Sequence, residues 1–190
     1  MIKEVPEIFY PTNQKEWRQW LKKYHASKQS VWLVYYKKET NKPTISWSDA
    51  VDEALCFGWI DSKKVSVDKE TSHQFFSKRK AKSTWSKINK AKIEKLTANG
   101  LMMQAGLDSI EIAKQNGSWT ILDDVEELII PKDLEKAFKS KSGSKDFFLS
   151  LSKSVKKVVL QWLVLAKKTE TRQKRINEIA ERSFQKLRPR

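Results

Sequence analysis

Residues 30–39, SVWLVYYKKE, decide the class of fold, because their middle is an unbroken run of β-branched and aromatic side chains. Such a run is typical of a strand buried on both faces. Further along, KKVSVDKE at 63–70 alternates apolar and polar residues, and SHQFFSKRK at 72–80 follows it after a short polar turn. These two segments predict a β-hairpin. The sheet is therefore expected to contain about three antiparallel strands.

Helices are predicted on both sides of the first strand. Asn13 stands three residues before Glu16, and the residues that follow place Trp17, Trp20, Leu21 and Tyr24 at helical spacing. Ser46 and Asp49 repeat this capping pattern before a second helix.

The second helix runs into ALCFGWIDS at 54–62. We expect this stretch to be the end of a core helix, with Trp59, Asp61 and Ser62 on its last turn and Gly58 allowing an exit or a close backbone approach. Asp52 and Glu53 are expected on the solvated side of the helix.

The remainder of the chain is predicted to be helical. Ser83 is placed as the cap of a basic helix that stops at Gly100, and a shorter helix is closed by Gly117. Residues 119–131 form an acidic, apolar connection, and the chain after Pro131 shows only helical patterns. The predicted class is α+β: a small antiparallel sheet packed with helices, followed by a helical C-terminal module. The predicted domains are residues 1–118 and 119–190.

Charge points to the kind of partner. The chain of 190 residues has a formal net charge of +15, and residues 131–190 alone contain 17 basic and 6 acidic side chains. This balance favours an acidic protein surface, an anionic or planar small ligand, or nucleic acid. One cysteine, no apolar leader and no apolar run long enough for a bilayer predict a soluble cytoplasmic protein without a transmembrane segment.

Common enzyme motifs are absent from the sequence, which lacks GxGxxG, Walker, HExxH and GxSxG patterns. Its two histidines do not have metal-ligand spacing, so neither a metal nor a cofactor is expected. A Cys56–His73 nucleophilic pair is one hypothesis, but a cysteine within an apolar helix usually behaves as a small buried hydrophobe. An enzyme of unknown reaction, using Cys56, Asp61 or His73, is the third class of function that we consider.

Residues 75–89, FFSKRKAKSTWSKIN, contain most of the candidate binding site. Aromatic rings and cations surround a predicted helix start, whose free amides attract anions. The residues proposed to bind a ligand are Trp59, Asp61, Arg79, Ser83, Trp85 and Asn89. Arg79 would supply charge, Ser83 would cap the helix, and the two tryptophans would form apolar walls. The alternative is a capped helix whose Trp85 enters the core, and Asp61 is favoured for a structural role.

The C-terminal segment 167–175, KKTETRQKR, is a second basic candidate. Lysine and arginine dominate sequence-independent contacts to phosphates, so a nonspecific nucleic-acid-binding protein is the main alternative function. The segment has no interleaved aromatic residues, which favours a solvated helix face.

Several stretches together resemble the YdeI/OmpD-associated, or bacteriocin-protection, family. They are AVDEALCFGWIDS at 50–62, KRKAKSTWSKIN at 78–89, LTANGLMMQAG at 96–106, and residues 133–176. The resemblance covers roughly residues 13–180. It implies a role in tolerance of stress or antimicrobial peptides and association with envelope proteins, and it supplies no catalytic residues. The chain departs from the family pattern at Ser77-Lys78-Arg79, where only the arginine is retained, and at Thr169, where the family tends to have proline.

Overall fold

A computed structural model describes residues 7–189, and its sheet has four strands. They are β1 (Glu7–Phe9), β2 (Ser30–Tyr36), β3 (Trp59–Ser66) and β4 (Thr71–Lys78), in the order β1-β2-β4-β3. β4 pairs antiparallel with both β2 and β3, as predicted, whereas β1 pairs parallel with β2. β1 was not predicted, because three residues are too short to show a periodic pattern. The α+β class is confirmed, with a mixed sheet.

Four helices accompany the sheet: α1 (Gln14–Tyr24), α2 (Trp47–Cys56), α3 (Lys87–Ala98) and α4 (Gln104–Gln115). The two predicted caps are confirmed. The Asn13 side chain accepts the Glu16 backbone N–H at 3.0 Å, and the Ser46 hydroxyl accepts the Asp49 N–H at 3.1 Å. Each cap satisfies a backbone donor that has no partner inside its helix.

Two helix boundaries differ from the prediction. α2 ends at Cys56, and Gly58 has φ of +71°, so the chain leaves the helix there and Trp59 already starts β3. Trp59, Asp61 and Ser62 are therefore strand residues, and their placement on a last helical turn was wrong. α3 begins at Lys87, four residues after Ser83. The predicted Ser83 cap was also wrong, since the Ser83 backbone N–H donates to the Lys80 carbonyl in a turn.

Two glycines let α4 lie against the junction between α2 and β3. A Cβ atom at Gly58 would come within 2.7 Å of the Ala105 carbonyl oxygen, and one at Gly106 would collide with the backbone of Cys56. The Met103 N–H donates to the Cys56 carbonyl at 3.0 Å beside this contact. The predicted close backbone approach at Gly58 is thus confirmed, and its partner is a helix that also requires a glycine.

Aromatic rings form the core between the sheet and α1. Trp17 contacts Trp20 at 5.1 Å between ring centroids and Phe76 of β4 at 5.5 Å, and Trp20 meets Trp59 edge-on at 5.7 Å. The Trp17 indole N–H donates to the Ala50 carbonyl at 3.0 Å, which ties α1 to α2. These rings bury large apolar areas and keep a defined geometry.

The chain divides into two compact units, described separately. Residues up to 83 and 88–119 form the first, and residues 84–87 and 120 onward form the second. Helices α5 (Asp123–Glu126), α6 (Lys132–Lys139), α7 (Ser144–Ser150), α8 (Lys153–Val164) and α9 (Thr169–Phe184) belong to the second. Its core includes the fully buried side chains of Leu134, Phe148, Leu160 and Leu163. The predicted domain limits, 1–118 and 119–190, stay a prediction.

Candidate functional site

Trp59, Asp61 and Arg79 lie on or next to the β3–β4 hairpin. Trp59 has no exposed surface, and its indole N–H points to the His25 carbonyl at 3.4 Å. The Arg79 N–H donates to the Gly58 carbonyl at 2.9 Å, at the point where β4 ends. The fold thus brings these three predicted residues together, but the Trp59 ring is a core side chain.

Asp61 is half-buried and is held by two side chains. Its Oδ2 accepts the Trp47 indole N–H at 3.0 Å and the Gln74 amide at 3.3 Å. Burial, together with the charge of Asp61, raises the pKa of Tyr35, whose hydroxyl is buried without a hydrogen-bond partner. Asp61 therefore anchors side chains from α2 and β4, in the structural role favoured from the sequence.

Arg79 is a cation in a partly desolvated position. Burial lowers its pKa to about 10, and the nearby Asp61 carboxylate acts in the opposite direction. With that pKa the guanidinium remains positive at neutral pH. Arg79 is thus a charged group that the fold holds close to Asp61 rather than in open solvent.

Ser83, Trp85 and Asn89 are spread over the segment before α3 and its first turn. Ser83 is half-buried in a turn, and Asn89 is half-buried on α3. Trp85 is 1% exposed and belongs to residues 84–87, which pack with the second unit. Like Trp59, its ring is buried.

Cys56 does not have the character of a nucleophile. Cys56 is buried at the end of α2, and desolvation raises its pKa to about 11 despite the neighbouring Arg18. The thiol is therefore protonated at neutral pH and weakly nucleophilic. His73 lies in the middle of β4, opposite Val34 and Val65.

The position of Glu53 differs from the prediction. Only 4% of this residue is exposed, although it was expected on the solvated side of α2. Its carboxylate accepts the Arg18 guanidinium at 2.6 Å and the Gln14 amide at 2.7 Å, so the buried charge is paired. This arrangement is structural, since each carboxylate oxygen has a donor from α1.

The sequence did not predict that one face of the sheet is partly exposed to solvent. β2 was expected to be buried on both faces, but Trp32 is only half-buried and contacts Phe75 of β4 with ring centroids 4.9 Å apart. Lys63 of β3 lies over both rings. The sequence of β4 gives no signal for this face, because the polar Gln74 is buried while the aromatic Phe75 beside it is partly exposed.

The basic segment 167–175 contains two arginines with structural partners. Arg172 pairs with Asp133 at 2.6 Å, and Arg175 lies over the Trp162 ring at 4.8 Å from its centroid. Lys167, Lys168 and Lys174 are exposed. A solvated face with two docked arginines thus describes this segment.

Residues 7–189 contain no group of three or more histidine, cysteine or acidic side chains arranged to hold a metal ion. None of their helices combines the length and the apolar character that spanning a bilayer requires.

By its fold and its charge, the protein is a strongly basic α+β protein with a small mixed sheet and a helical C-terminal unit. Residues 9–109 match the family described as Domain of unknown function (DUF8412), and the chain belongs to that family. Residues 127–186 match the family described as Bacteriocin-protection, YdeI or OmpD-Associated. The predicted resemblance is confirmed over this C-terminal part. Neither the curated proteins nor the solved structures contain a match to the chain.

Proposed function

We propose that this protein is a non-enzymatic binding protein with an anionic partner, and that the binding contributes to tolerance of stress or of bacteriocins and other antimicrobial peptides. The partner is an acidic protein surface, an anionic ligand or nucleic acid. We also propose a cytoplasmic location, which a single buried free cysteine supports. The name of the family matched at residues 127–186 supports the link to bacteriocins.

The excess positive charge of the second unit is the observation that carries this proposal. Several of its carboxylates are engaged within the unit, among them Asp133 with Arg172 and Glu181 with Lys141, both at 2.6 Å. Because residues 131–190 contain 17 basic and only 6 acidic side chains, many cations remain for a partner. On α6, Lys132, Lys136 and Lys139 are exposed and recur at i, i+4 and i+7, so they form one basic stripe in solvent.

The positive charge of the protein also bears on the mechanism by which it would give tolerance of antimicrobial peptides. Antimicrobial peptides that act on membranes are rich in lysine and arginine. A chain with net charge +15 repels such peptides, so direct capture of the peptide is disfavoured. The proposed binding therefore acts through an anionic cellular component.

The test is retention on a heparin column along a salt gradient. The variant Lys132→Gln/Lys136→Gln/Lys139→Gln should elute at a clearly lower salt concentration than the wild type, because fewer counterions are released on binding. The matched control changes three exposed lysines of α1, Lys15→Gln/Lys22→Gln/Lys23→Gln. They belong to residues 1–62, which contain 9 basic and 8 acidic side chains and are therefore nearly neutral overall.

The control removes the same charge and should change elution much less. Equal effects of the two variants would argue against a specific basic surface, and lack of retention of the wild type at low salt would refute the proposal. Survival of cells exposed to a cationic antimicrobial peptide, with wild type or the α6 variant expressed, tests the link to tolerance. Equal survival would remove that link.

The ligand site predicted near the hairpin stays part of the proposal. Arg79 supports it, because the fold keeps this cation charged in a partly desolvated position beside Asp61. Arg79→Ala and Trp85→Ala are the informative variants. If both change only folding stability and leave every detectable binding event intact, the predicted site is wrong.

A further inference from the structure

One face of the sheet carries aromatic side chains toward solvent. The register pairs Ile8 of β1 with Trp32 of β2, and Trp32 with Phe75 of β4, so these three side chains form a row across three strands. Ile8 is 60% exposed, and Val65, which lies opposite His73, is 44% exposed. We call Ile8, Trp32, Val65, His73 and Phe75, together with Lys63, the aromatic sheet face.

The opposite face of the same strands is the core. Val31, Leu33 and Phe76 have no exposed surface, and the Phe76 ring contacts Trp17 of α1. Because successive side chains of a strand point to opposite sides, Trp32 and Phe75 must point away from that core. Their partial exposure is therefore set by the pairing register.

Lys63 adds positive charge to this surface. The register of β3 against β4 shifts between Asp61 and Lys64, and such an irregularity redirects side chains. The Lys63 ammonium lies 5.1 Å from the Trp32 ring centroid and 5.9 Å from that of Phe75. Within residues 7–189, neither Lys63 nor Lys64 forms an ion pair with a carboxylate.

An aromatic surface with adjacent cations suits a ligand that combines planar rings with negative charge. Nucleobases stack on aromatic side chains while lysine and arginine neutralise the phosphates, and this mode tolerates many base sequences. Bases within a duplex are stacked on each other, so their faces are accessible only in single strands. An acidic peptide would satisfy the lysines but would leave the row of rings without a matching planar group.

We propose that the aromatic sheet face binds single-stranded nucleic acid, with bases stacked on Trp32 and Phe75 and with Lys63 close to the phosphates. This inference rests on the proposal that the protein binds an anionic partner, and it specifies both the class of partner and the surface. The net charge of +15 supplies the attraction that brings the strand to the protein.

The experiment measures binding of fluorescently labelled oligothymidine to the full chain by anisotropy, at several salt concentrations. Trp32→Ala and Phe75→Ala should each weaken binding by about 5- to 140-fold, the range expected for loss of one stacked base. The slope of log affinity against log salt should not change in these variants. Lys63→Gln should instead reduce that slope by about one contact.

Phe184→Ala is the matched control. Phe184 is also an exposed aromatic with a lysine over its ring, Lys141 at 5.4 Å, but it lies in the helical unit. Its affinity for oligothymidine should equal that of the wild type. Trp32→Phe keeps an aromatic ring and should retain most of the affinity, which separates stacking from any loss of folding seen by circular dichroism in Trp32→Ala.

The outcomes distinguish this inference from the broader proposal. If oligothymidine binds but folded Trp32→Ala, Phe75→Ala and Lys63→Gln proteins all bind it as the wild type does, the sheet face is the wrong surface. Equal or tighter binding of duplex DNA of the same length would also overturn stacking. If heparin retains the protein while oligothymidine does not bind, this inference fails and the anionic partner stands. Failure of both ligands at low salt overturns both.

Discussion

Replacing Gly106 with alanine should destabilise the protein, although alanine is the better helix former. Gly106 is a buried residue of α4, and a Cβ atom there would lie 2.8 Å from the Cys56 carbonyl carbon and 2.9 Å from the Leu55 carbonyl oxygen. Ordinary contacts of a Cβ atom begin at 3.4 Å. Because the obstructing atoms belong to the backbone of α2, relief requires a shift of α4 rather than of a side chain.

The magnitude follows from three opposing contributions. Overpacking of a core costs about 1–3 kcal/mol, and weakening the hydrogen bond from Met103 N–H to the Cys56 carbonyl costs about 1 kcal/mol. Exchanging glycine for alanine within a helix returns about 1 kcal/mol. The expected net loss is therefore about 2 kcal/mol, which corresponds to about 4–8 °C in Tm for a chain of this size.

The assay is urea unfolding followed by circular dichroism, with Gly100 as the control position. Gly100 has φ of +66° and open space around it, so Gly100→Ala should lose stability through backbone strain alone. Gly100→Asn should recover most of that loss, since asparagine tolerates a left-handed conformation, whereas Gly106→Asn should be less stable than Gly106→Ala. A Gly106→Ala protein as stable as the wild type would refute the tight contact between α4 and α2.

Three further changes test other parts of the structure. Glu53→Gln leaves Arg18 without its buried carboxylate, so the free energy of unfolding measured with urea should fall by about 3 kcal/mol. A fall of less than about 0.5 kcal/mol would contradict the buried ion pair. Because burial raises the pKa of Cys56 to about 11, thiol reagents should label it at pH 8 only after unfolding, and rapid labelling of the folded chain would contradict this. The raised pKa also makes stability fall as pH rises from about 9 to 11, so the fall should be steeper in the wild type than in Cys56→Ala. The Arg172 guanidinium lowers the pKa of Asp133, so the ion pair stabilises the protein above about pH 4 and this stabilisation is lost as pH falls. The free energy of unfolding should therefore fall more steeply with acid pH in the wild type than in Asp133→Asn. Identical pH profiles would exclude the pair.

Features that depend on neighbouring residues were predictable from the sequence. The caps at Asn13 and Ser46 were identified correctly, because a capping side chain contacts a backbone N–H three residues away. The exit from α2 at Gly58 belongs to the same group, although the start of β3 at Trp59, ahead of the predicted strand 63–70, was missed. Ser83 failed as a cap because α3 starts only at Lys87, four residues further along the chain.

Predictions about exposure failed more often than predictions about local structure. Trp59 was expected to form the wall of a site, yet it is a core side chain, because β3 starts at this residue and directs the ring toward Trp20. Glu53 was placed in solvent, but Arg18 of α1 comes close enough to pair with it. In each case the deciding partner is more than 30 positions distant along the chain.

The sequence by itself determined the element types, two helix caps, the hairpin and the excess of positive charge, because each depends on residues within a few positions or on composition alone. Tertiary structure decided which side of β2 and β4 meets the core and which side carries Trp32 and Phe75 toward solvent. That choice depends on strand register and on where α1 packs, and a shift of one residue would exchange the two faces. The surface proposed to bind nucleic acid is therefore a product of long-range pairing.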